Sequence, residues 1–258
     1  MTGTAVARVL WVSARAQVRA RASAALVVVA IVQPATFLVV TLLASSGRAH
    51  VDPREVALGA GLTSLWGTTV WSAGAILRIE RWQGTLPGIL SRPAGLATVL
   101  AGKSLGATLY ATVLIGATVS VVAAAFGHPL TIERPLAFAA ALAATLVSAW
   151  TLGFLVACVF LLTRAAGRIA EALTYPVFIL GGLLVPLSLL PEQVRPLSWV
   201  VSLRWGDDVI RAGAAGAPAT ARPWLLLAAT TAVYAAAARI VVGVVLERVR
   251  KEGTLDLY

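Results

Sequence analysis

Six long apolar stretches, separated by short polar joints, constrain the fold of this 258-residue chain more than any other feature. A helix needs about 20 apolar residues to cross the hydrocarbon core of a bilayer. In lipid, backbone groups must be hydrogen-bonded internally, and runs of this length indicate helices. The sequence therefore predicts an all-α, polytopic membrane protein with six transmembrane helices, at about residues 24–44, 56–77, 105–126, 136–163, 173–190 and 224–246.

The composition excludes an ordinary soluble domain, since the chain is 59% hydrophobic and 12% charged. The predicted spans leave no room for a separate soluble catalytic domain, so we treat residues 1–258 as a single transmembrane domain. Cys158 is the one cysteine, which excludes an intrachain disulfide and a thiol metal cluster. The net charge of +10 does not indicate nucleic-acid binding, because no basic groove with interleaved aromatics is present.

Lys and Arg residues are concentrated on one side of the predicted spans, which the positive-inside rule assigns to the cytoplasm. Both termini are therefore predicted to be cytoplasmic. The residues on this side are Arg8, Arg15, Arg19, Arg21, Arg78, Arg81, Arg92, Lys103, Arg164, Arg168, Arg248, Arg250 and Lys251.

Residues 3–22 predict an interfacial helix that lies on the inner leaflet. Arg8, Arg15 and Arg19 fall on one stripe at helical spacing, which suits anionic head groups. The broad opposite face holds Val6, Leu10, Ala14 and Val18, with Trp11 near its edge. The alternative is a positively charged flank that merely orients the first span.

Two joints depart from simple turns. The joint 78–104 is long and contains Gly84 and Pro93. It predicts at least one short helix across the cytoplasmic face, at Leu96–Lys103, leading into the third span. Gly102 and Gly106 form G-x-x-x-G, which would permit close helix contact.

The fifth span is interrupted by prolines and followed by a semi-apolar segment, which favours a re-entrant hairpin from outside over a kinked span with an external amphipathic helix.

Motifs for chemistry are weak. Ala97–Ser104 resembles a phosphate-binding loop but has Ala97 in place of the first glycine, so we expect no ATP binding. Asp207 and Asp208 are predicted to cap an external helix and to pair with neighbouring arginines. The alternative is an intramembrane lipid-modifying enzyme that uses this pair, but it lacks a second acidic cluster, and no metal site is predicted.

Three residues lie deep in the predicted spans. Arg239 is costly there and needs either the cytoplasmic surface or a cavity. Trp66 and Trp71 either line a substrate path or pack against neighbouring helices. A secondary transporter would need acidic relays, and the predicted spans contain no Asp or Glu.

Three stretches together resemble the type-2 ABC exporter permeases. Glu80–Leu86 and Ile89–Pro93 resemble the cytoplasmic coupling region of that family, although Pro87 stands where an acidic residue is frequent. Leu183–Pro191 with Val194–Leu197 resembles its external re-entrant segment, and Asp208–Arg211 its closing element. The charged tail is similar to that of actinobacterial drug-resistance members.

The resemblance implies a bacterial plasma-membrane permease that pairs with a second permease, identical or homologous, and with two cytoplasmic ATPase subunits. The chain itself would hold no cofactor, since ATP and Mg would bind the ATPase. Hydrophobic or amphipathic cargo, such as a drug, antibiotic, lipid or lipid-linked glycan, would move outward. The implied ATPase-coupling residues are Glu80, Arg81, Trp82, Gln83, Gly84, Thr85, Leu86, Arg92 and Pro93, and the implied external gate is Pro186, Pro191, Pro196, Asp208 and Arg211.

Overall fold

The computed structural model describes residues 3–20, 24–45, 52–82, 84, 95–163, 166–182, 190–218 and 220–252. Within these residues the chain forms eight α-helices, one 3-10 helix and no strand, which confirms the all-α prediction. The elements are α1 (Gly3–Ala20), α2 (Ala24–Ser45), α3 (Pro53–Trp82), α4 (Gly95–Ala125), α5 (Pro135–Leu162), α6 (Ala166–Leu180), the 3-10 helix Arg195–Val200, α7 (Ser202–Ala214) and α8 (Ala221–Glu252).

Three helices in the described residues are long and apolar enough to cross a membrane: Leu96–Ala125, Pro135–Phe160 and Ala221–Val245. They coincide with the third, fourth and sixth predicted spans. The first and second predicted spans fall on α2 and α3, and the fifth begins within α6, which ends at Leu180. The end of the fifth span, residues 183–189, lies outside the described residues, so the count of six crossings stays a prediction.

Three buried threonine hydroxyls form hydrogen bonds within their own helices. Thr63 Oγ1 donates to the Gly59 carbonyl at 2.8 Å, and Thr108 Oγ1 donates to the Ser104 carbonyl at 3.0 Å. Thr145 Oγ1 makes the same bond to Ala141, at 2.8 Å. Because each hydroxyl bonds the carbonyl one turn earlier, the interior tolerates polar side chains without water.

α3 contacts α2, α4, α5, α6 and α7, and α5 contacts α3, α4, α7 and α8. An apolar core joins α2, α3, α4, α5 and α7 around Leu62, Ile115 and Trp205. The opposite end is closed by a smaller cluster that includes Ile76, Leu100 and Val245. The bundle is therefore held together along its length by packing of apolar side chains between α3 and its neighbours.

α8 leaves a large apolar face uncovered. Leu225, Val233 and Ile240 are 68%, 62% and 67% exposed, respectively. Contiguous apolar surface of this kind marks contact with lipid or with another protein. The exposed face is thus consistent with a membrane protein rather than a water-soluble bundle.

Candidate functional site

α1 packs against the first turns of α4 at the two glycines of the G-x-x-x-G pattern. A Cβ added to Gly102 would lie 2.5 Å from the carbonyl oxygen of Leu10. A Cβ added to Gly106 would overlap the backbone of Ala14. The close helix contact predicted from these glycines is confirmed, and its partner is α1.

The faces of α1 differ from the prediction in one respect. Arg8, Arg15 and Arg19 are exposed, as expected from their common stripe. The other side of the helix is buried against protein, at Ser13, Ala14 and Gln17. Much of the face predicted to contact lipid is therefore used to pack against α4, although Trp11 and Val18 remain exposed beside the arginines.

The segment that resembles the coupling region is described only in part. Glu80, Arg81 and Trp82 form the last turn of α3, which continues beyond the predicted second span. Gly84 has a φ of +64°, a conformation that favours glycine. The rest of the implied coupling set lies outside the described residues: Gln83, Thr85, Leu86, Arg92 and Pro93.

Leu96–Lys103 was predicted to form a short helix on the cytoplasmic face that leads into the third span. These residues are helical, but they are the first two turns of α4, which continues without a break to Ala125. Lys103 lies within α4, because a single lysine does not end a helix when its backbone bonds continue.

At the predicted outer end, α7 runs antiparallel to α5 in close contact. A Cβ at Gly206 would lie 2.7 Å from Cγ2 of Thr145, and a Cβ at Gly213 would lie 2.9 Å from Cα of Phe138. Later residues of α7 thus meet earlier residues of α5. Pro191 and Pro196 precede this helix, in a turn and at the start of the 3-10 helix, and Pro186 lies outside the described residues.

A charge network joins α7 to the start of α3. Arg211 Nε donates to Asp207 Oδ1 at 2.7 Å, and Arg211 Nη1 is 3.2 Å from Glu55 Oε2. The pairing of an aspartate with a neighbouring arginine is seen as predicted. The predicted capping role is wrong, because Asp207 and Asp208 lie in the middle of α7.

A second set of polar contacts extends the network to the loop before α5. Arg54 Nη1 is 3.4 Å from Glu133 Oε1 and donates to the Ala214 carbonyl at 3.1 Å. Arg54 Nη2 donates to Thr131 Oγ1 at 2.9 Å. The start of α3, the α4–α5 loop and the end of α7 are therefore tied together at one end of the bundle.

Burial changes the acidity of the aspartate in this network. Asp207 is 8% exposed, and burial raises its pKa to about 6, although the Arg211 guanidinium opposes the rise. Asp208 is exposed by contrast, and its pKa is raised by desolvation against the effect of Arg204 and Arg211. The two adjacent carboxylates thus have different surroundings, which does not favour a shared metal site.

An aromatic and cationic group of side chains on the same side was not predicted from the sequence. Trp199 and Trp205 contact edge to face at 6.3 Å between centroids, and the Arg204 guanidinium lies 4.3 Å from the Trp205 ring centroid. Arg222 of α8 lies 5.6 Å from the Trp199 centroid. The closeness of Trp199, Arg204 and Trp205 in the sequence was a signal, but nothing in it indicated Arg222.

The three deep residues have different environments. Trp66 is 6% exposed and belongs to an apolar cluster with Phe178 and Leu203, so it packs. Trp71 is 46% exposed, and Arg239 lies on the exposed face of α8 rather than inside the bundle. The structure does not bring Trp66, Trp71 and Arg239 together in one interior cavity among the described residues.

These features define a class of protein: a helical membrane protein with polar networks at one end and a glycine-packed N-terminal helix at the other. The family model described as ABC-2 type transporter matches residues 8–214. The chain belongs to the ABC-2 type transporter family. No curated protein shows significant sequence similarity to it.

Membership accounts for the absence of a catalytic constellation in the sequence. The chain is a permease subunit of an ABC transporter, a membrane protein that is not itself catalytic, and the family implies an ABC ATPase partner. Within the described ranges, no three His, Cys, Asp or Glu residues are grouped to hold a metal ion.

Proposed function

We propose that the chain is the transmembrane half of an ATP-driven exporter in a bacterial plasma membrane. It pairs with a second permease, identical or homologous, and with two cytoplasmic ATPase subunits. It moves a hydrophobic or amphipathic compound outward from the cytoplasm or inner leaflet. Membership of the ABC-2 type transporter family supports ATP as the energy source. The exposed apolar face of α8 supports contact with a further membrane-embedded partner or with lipid.

We also propose that the segment between the fifth and sixth spans forms a re-entrant hairpin that serves as the external gate. The register of α7 on α5 supports this, since Gly206 contacts Thr145, ten residues into α5. At about 1.5 Å per residue, that position is roughly 15 Å below the start of α5. The chain would then turn back within the outer leaflet, and Asp208 and Arg211 would lie on its ascending helix.

Force from the ATPase would enter at the end of α3 and the joint to α4. α3 extends past its predicted span to Trp82, so a push on Glu80, Arg81 or Trp82 is transmitted along one continuous helix. α4 receives the same force. α1 moves with α4 because the two helix backbones are in close contact at Gly102 and Gly106. Both termini are cytoplasmic in this arrangement.

The coupling role is tested by Gly84→Ala in the complex with its ATPase. At a φ of +64° an alanine is strained, by about 1 kcal/mol or more. We expect ATP hydrolysis to continue, while the ATP-dependent change in maleimide labelling of a Leu197→Cys reporter, built in a Cys158→Ala background, is lost. Glu80→Ala is expected to have the same effect.

Gly116→Ala is the matched control, because a Cβ there meets open space and the helix tolerates alanine. It should insert into the membrane, hydrolyse ATP with its partner and respond to nucleotide like the parent. An unchanged nucleotide response in both Gly84→Ala and Glu80→Ala would remove this segment from the coupling path.

A further inference from the structure

We propose that the predicted outer side of the chain carries a binding site for an amphipathic anion, formed by Trp199, Arg204 and Arg222. The site combines an exposed aromatic surface with two guanidinium groups from different helices. This inference deepens the proposed export function and depends on it for the identification of the anion as cargo. Binding itself is measurable without transport.

The aromatic part of the site is rigid. Trp205 is 3% exposed, and its Nε1 donates to the carbonyl oxygen of Trp199 at 3.1 Å. The two rings meet edge to face, with an interplanar angle of 78°. Trp199 is therefore held in position by a buried neighbour while 49% of its own surface stays exposed.

The backbone of the same segment is fastened to α8. Tyr234 Oη donates to the Val200 carbonyl at 2.5 Å, and the Ser202 N–H donates to Tyr234 Oη at 3.3 Å. A preorganised site loses less entropy on binding than a mobile one. Exposed Trp199 is thus presented on a fixed support rather than on a free loop.

The cationic part consists of Arg204 and Arg222. The Arg204 guanidinium stacks on Trp205 and donates to Ser198 Oγ, whereas its Nε is buried and has no hydrogen-bond partner among the described residues. Arg222 is exposed and lies beside Trp199. The two arginines therefore place positive charge beside the Trp199–Trp205 pair.

The local charge is positive. The negative charge of Asp208 stabilises the charged form of Arg204, whereas the positive charge of Arg222 destabilises it. Two guanidinium groups therefore face one carboxylate, and Asp208 is exposed to solvent or head groups. A bound anion would relieve the repulsion between the arginines and add charge-assisted hydrogen bonds.

The apolar part of the site sets the rest of the ligand. Leu197 and Val200 are 57% and 64% exposed on either side of Trp199. An acyl chain or a fused-ring body fits against these three side chains, while its carboxylate or phosphate reaches the guanidinium groups. Neutral amphiphiles gain the apolar contact only, and cationic ones are repelled.

The test uses the purified full chain in a neutral maltoside detergent at alkaline pH, where a carboxyl group is ionised. The probes are 9,10-dibromostearate and its methyl ester, since bromine quenches tryptophan fluorescence on contact. We expect saturable quenching by the acid at roughly tenfold lower concentration than by the ester, the range of one charge-assisted hydrogen bond. Trp199→Phe should remove most of the saturable quenching.

Variants locate the anion. Arg222 is exposed, so the Arg222→Gln variant should fold. We expect it to bind the acid roughly tenfold more weakly than the parent and to bind the ester with unchanged affinity. Arg204→Gln should do the same if it folds. Arg134→Gln is the matched control, because it removes the same charge from the same side of the chain and should leave both affinities unchanged. Equal affinity for acid and ester, or wild-type affinity in Arg222→Gln, would overturn the proposal.

Competition distinguishes two sources of the anion. The chain is placed in phosphatidylcholine nanodiscs with bound dibromostearate, and phosphatidylglycerol is added. Displacement of dibromostearate would show that the site binds a membrane lipid. No displacement would show that it binds a free amphiphile such as cargo. Both results keep the anion site. Failure of the export function would appear instead as the lack of an ATPase partner, with anion selectivity intact.

Discussion

Gly102 and Gly106 determine how closely α1 approaches α4. The backbone of α1 occupies the space where their side chains would be, with the Leu10 carbonyl 2.5 Å from a Cβ at Gly102. Gly243 is different, since a Cβ there meets nothing within 4 Å. Glycines of the same helical conformation are therefore expected to respond in opposite ways to the same substitution.

Gly106→Ala should lower the thermal stability of the purified chain. The added methyl group overlaps the Ala14 backbone, and such overpacking costs roughly 1–3 kcal/mol. In a chain of this size the midpoint should fall by roughly 2–10 °C. Differential scanning fluorimetry in detergent measures it. Gly243→Ala should leave the midpoint unchanged or raise it, and equal behaviour of the two variants would contradict the packing described here.

Asp207 should give the chain a pH-dependent stability. Its pKa in the folded chain is raised from 3.8 to about 6 by burial, so the folded state favours the protonated form. The resulting stabilisation is complete below pH 4 and is lost as the pH rises through 6. It amounts to about 3 kcal/mol at most.

Asp207→Asn removes this ionisation, and the comparison is made by thermal unfolding at a series of pH values from 4 to 7. The midpoint of the parent should fall relative to that of the variant as the pH rises. Arg211 keeps Glu55 as its partner in the variant, which protects the network. Parallel curves for the two proteins would show that Asp207 is not buried as described.

Among the helices, the contact of α7 with α5 determines how far below the start of α5 the first turns of α7 lie. The closest approach is at Gly206, where a Cβ would be 3.4 Å from the Thr145 Cβ. Disulfides need Cβ atoms about 3.5–4.5 Å apart, so a cysteine pair here is near the required geometry.

Thr145→Cys with Gly206→Cys, in a Cys158→Ala background, should form a disulfide on mild oxidation. The replacement of threonine removes the two side-chain atoms nearest to position 206, which leaves room for the new sulfur. The faster mobility of the cross-linked chain on a non-reducing gel measures the yield. Thr145→Cys with Gly213→Cys is two helical turns out of register and should not react; equal yields from both pairs would contradict the register.

Helix positions were more predictable from the sequence than helix boundaries and contacts. The apolar runs of α4, α5 and α8 predicted these helices because length and hydropathy suffice for a span. The third span was predicted to begin at residue 105, whereas α4 begins at Gly95, since a charge marks the edge of lipid and not the end of a helix. The glycine pair was predictive because small residues at that spacing allow close approach.

The polar contacts were less predictable, because they join residues far apart in the chain. Arg54 and Glu133 are 79 positions apart, and Arg222 reaches Trp199 from another helix. Their meeting depends on the order in which the helices pack, which no local pattern specifies. Asp207 and Arg211, four residues apart on one helix, could be paired in advance.

For the whole molecule, we propose that force from the ATPase enters at the inner ends of α3 and α4. Continuous helices then transmit this force to the outer gate. α3 and α4 connect the segment around Gly84 to the bundle, and α5 connects them to α7. The family implies an ABC ATPase partner, and we propose that nucleotide binds to that partner.

The most direct test is affinity purification of the chain from its own membrane in mild detergent, followed by identification of the proteins that remain bound. The account predicts a nucleotide-hydrolysing subunit in equal amount, together with a second permease copy that is identical or homologous. A chain that purifies without such a subunit, and that moves cargo across liposomes lacking nucleotide, would contradict it.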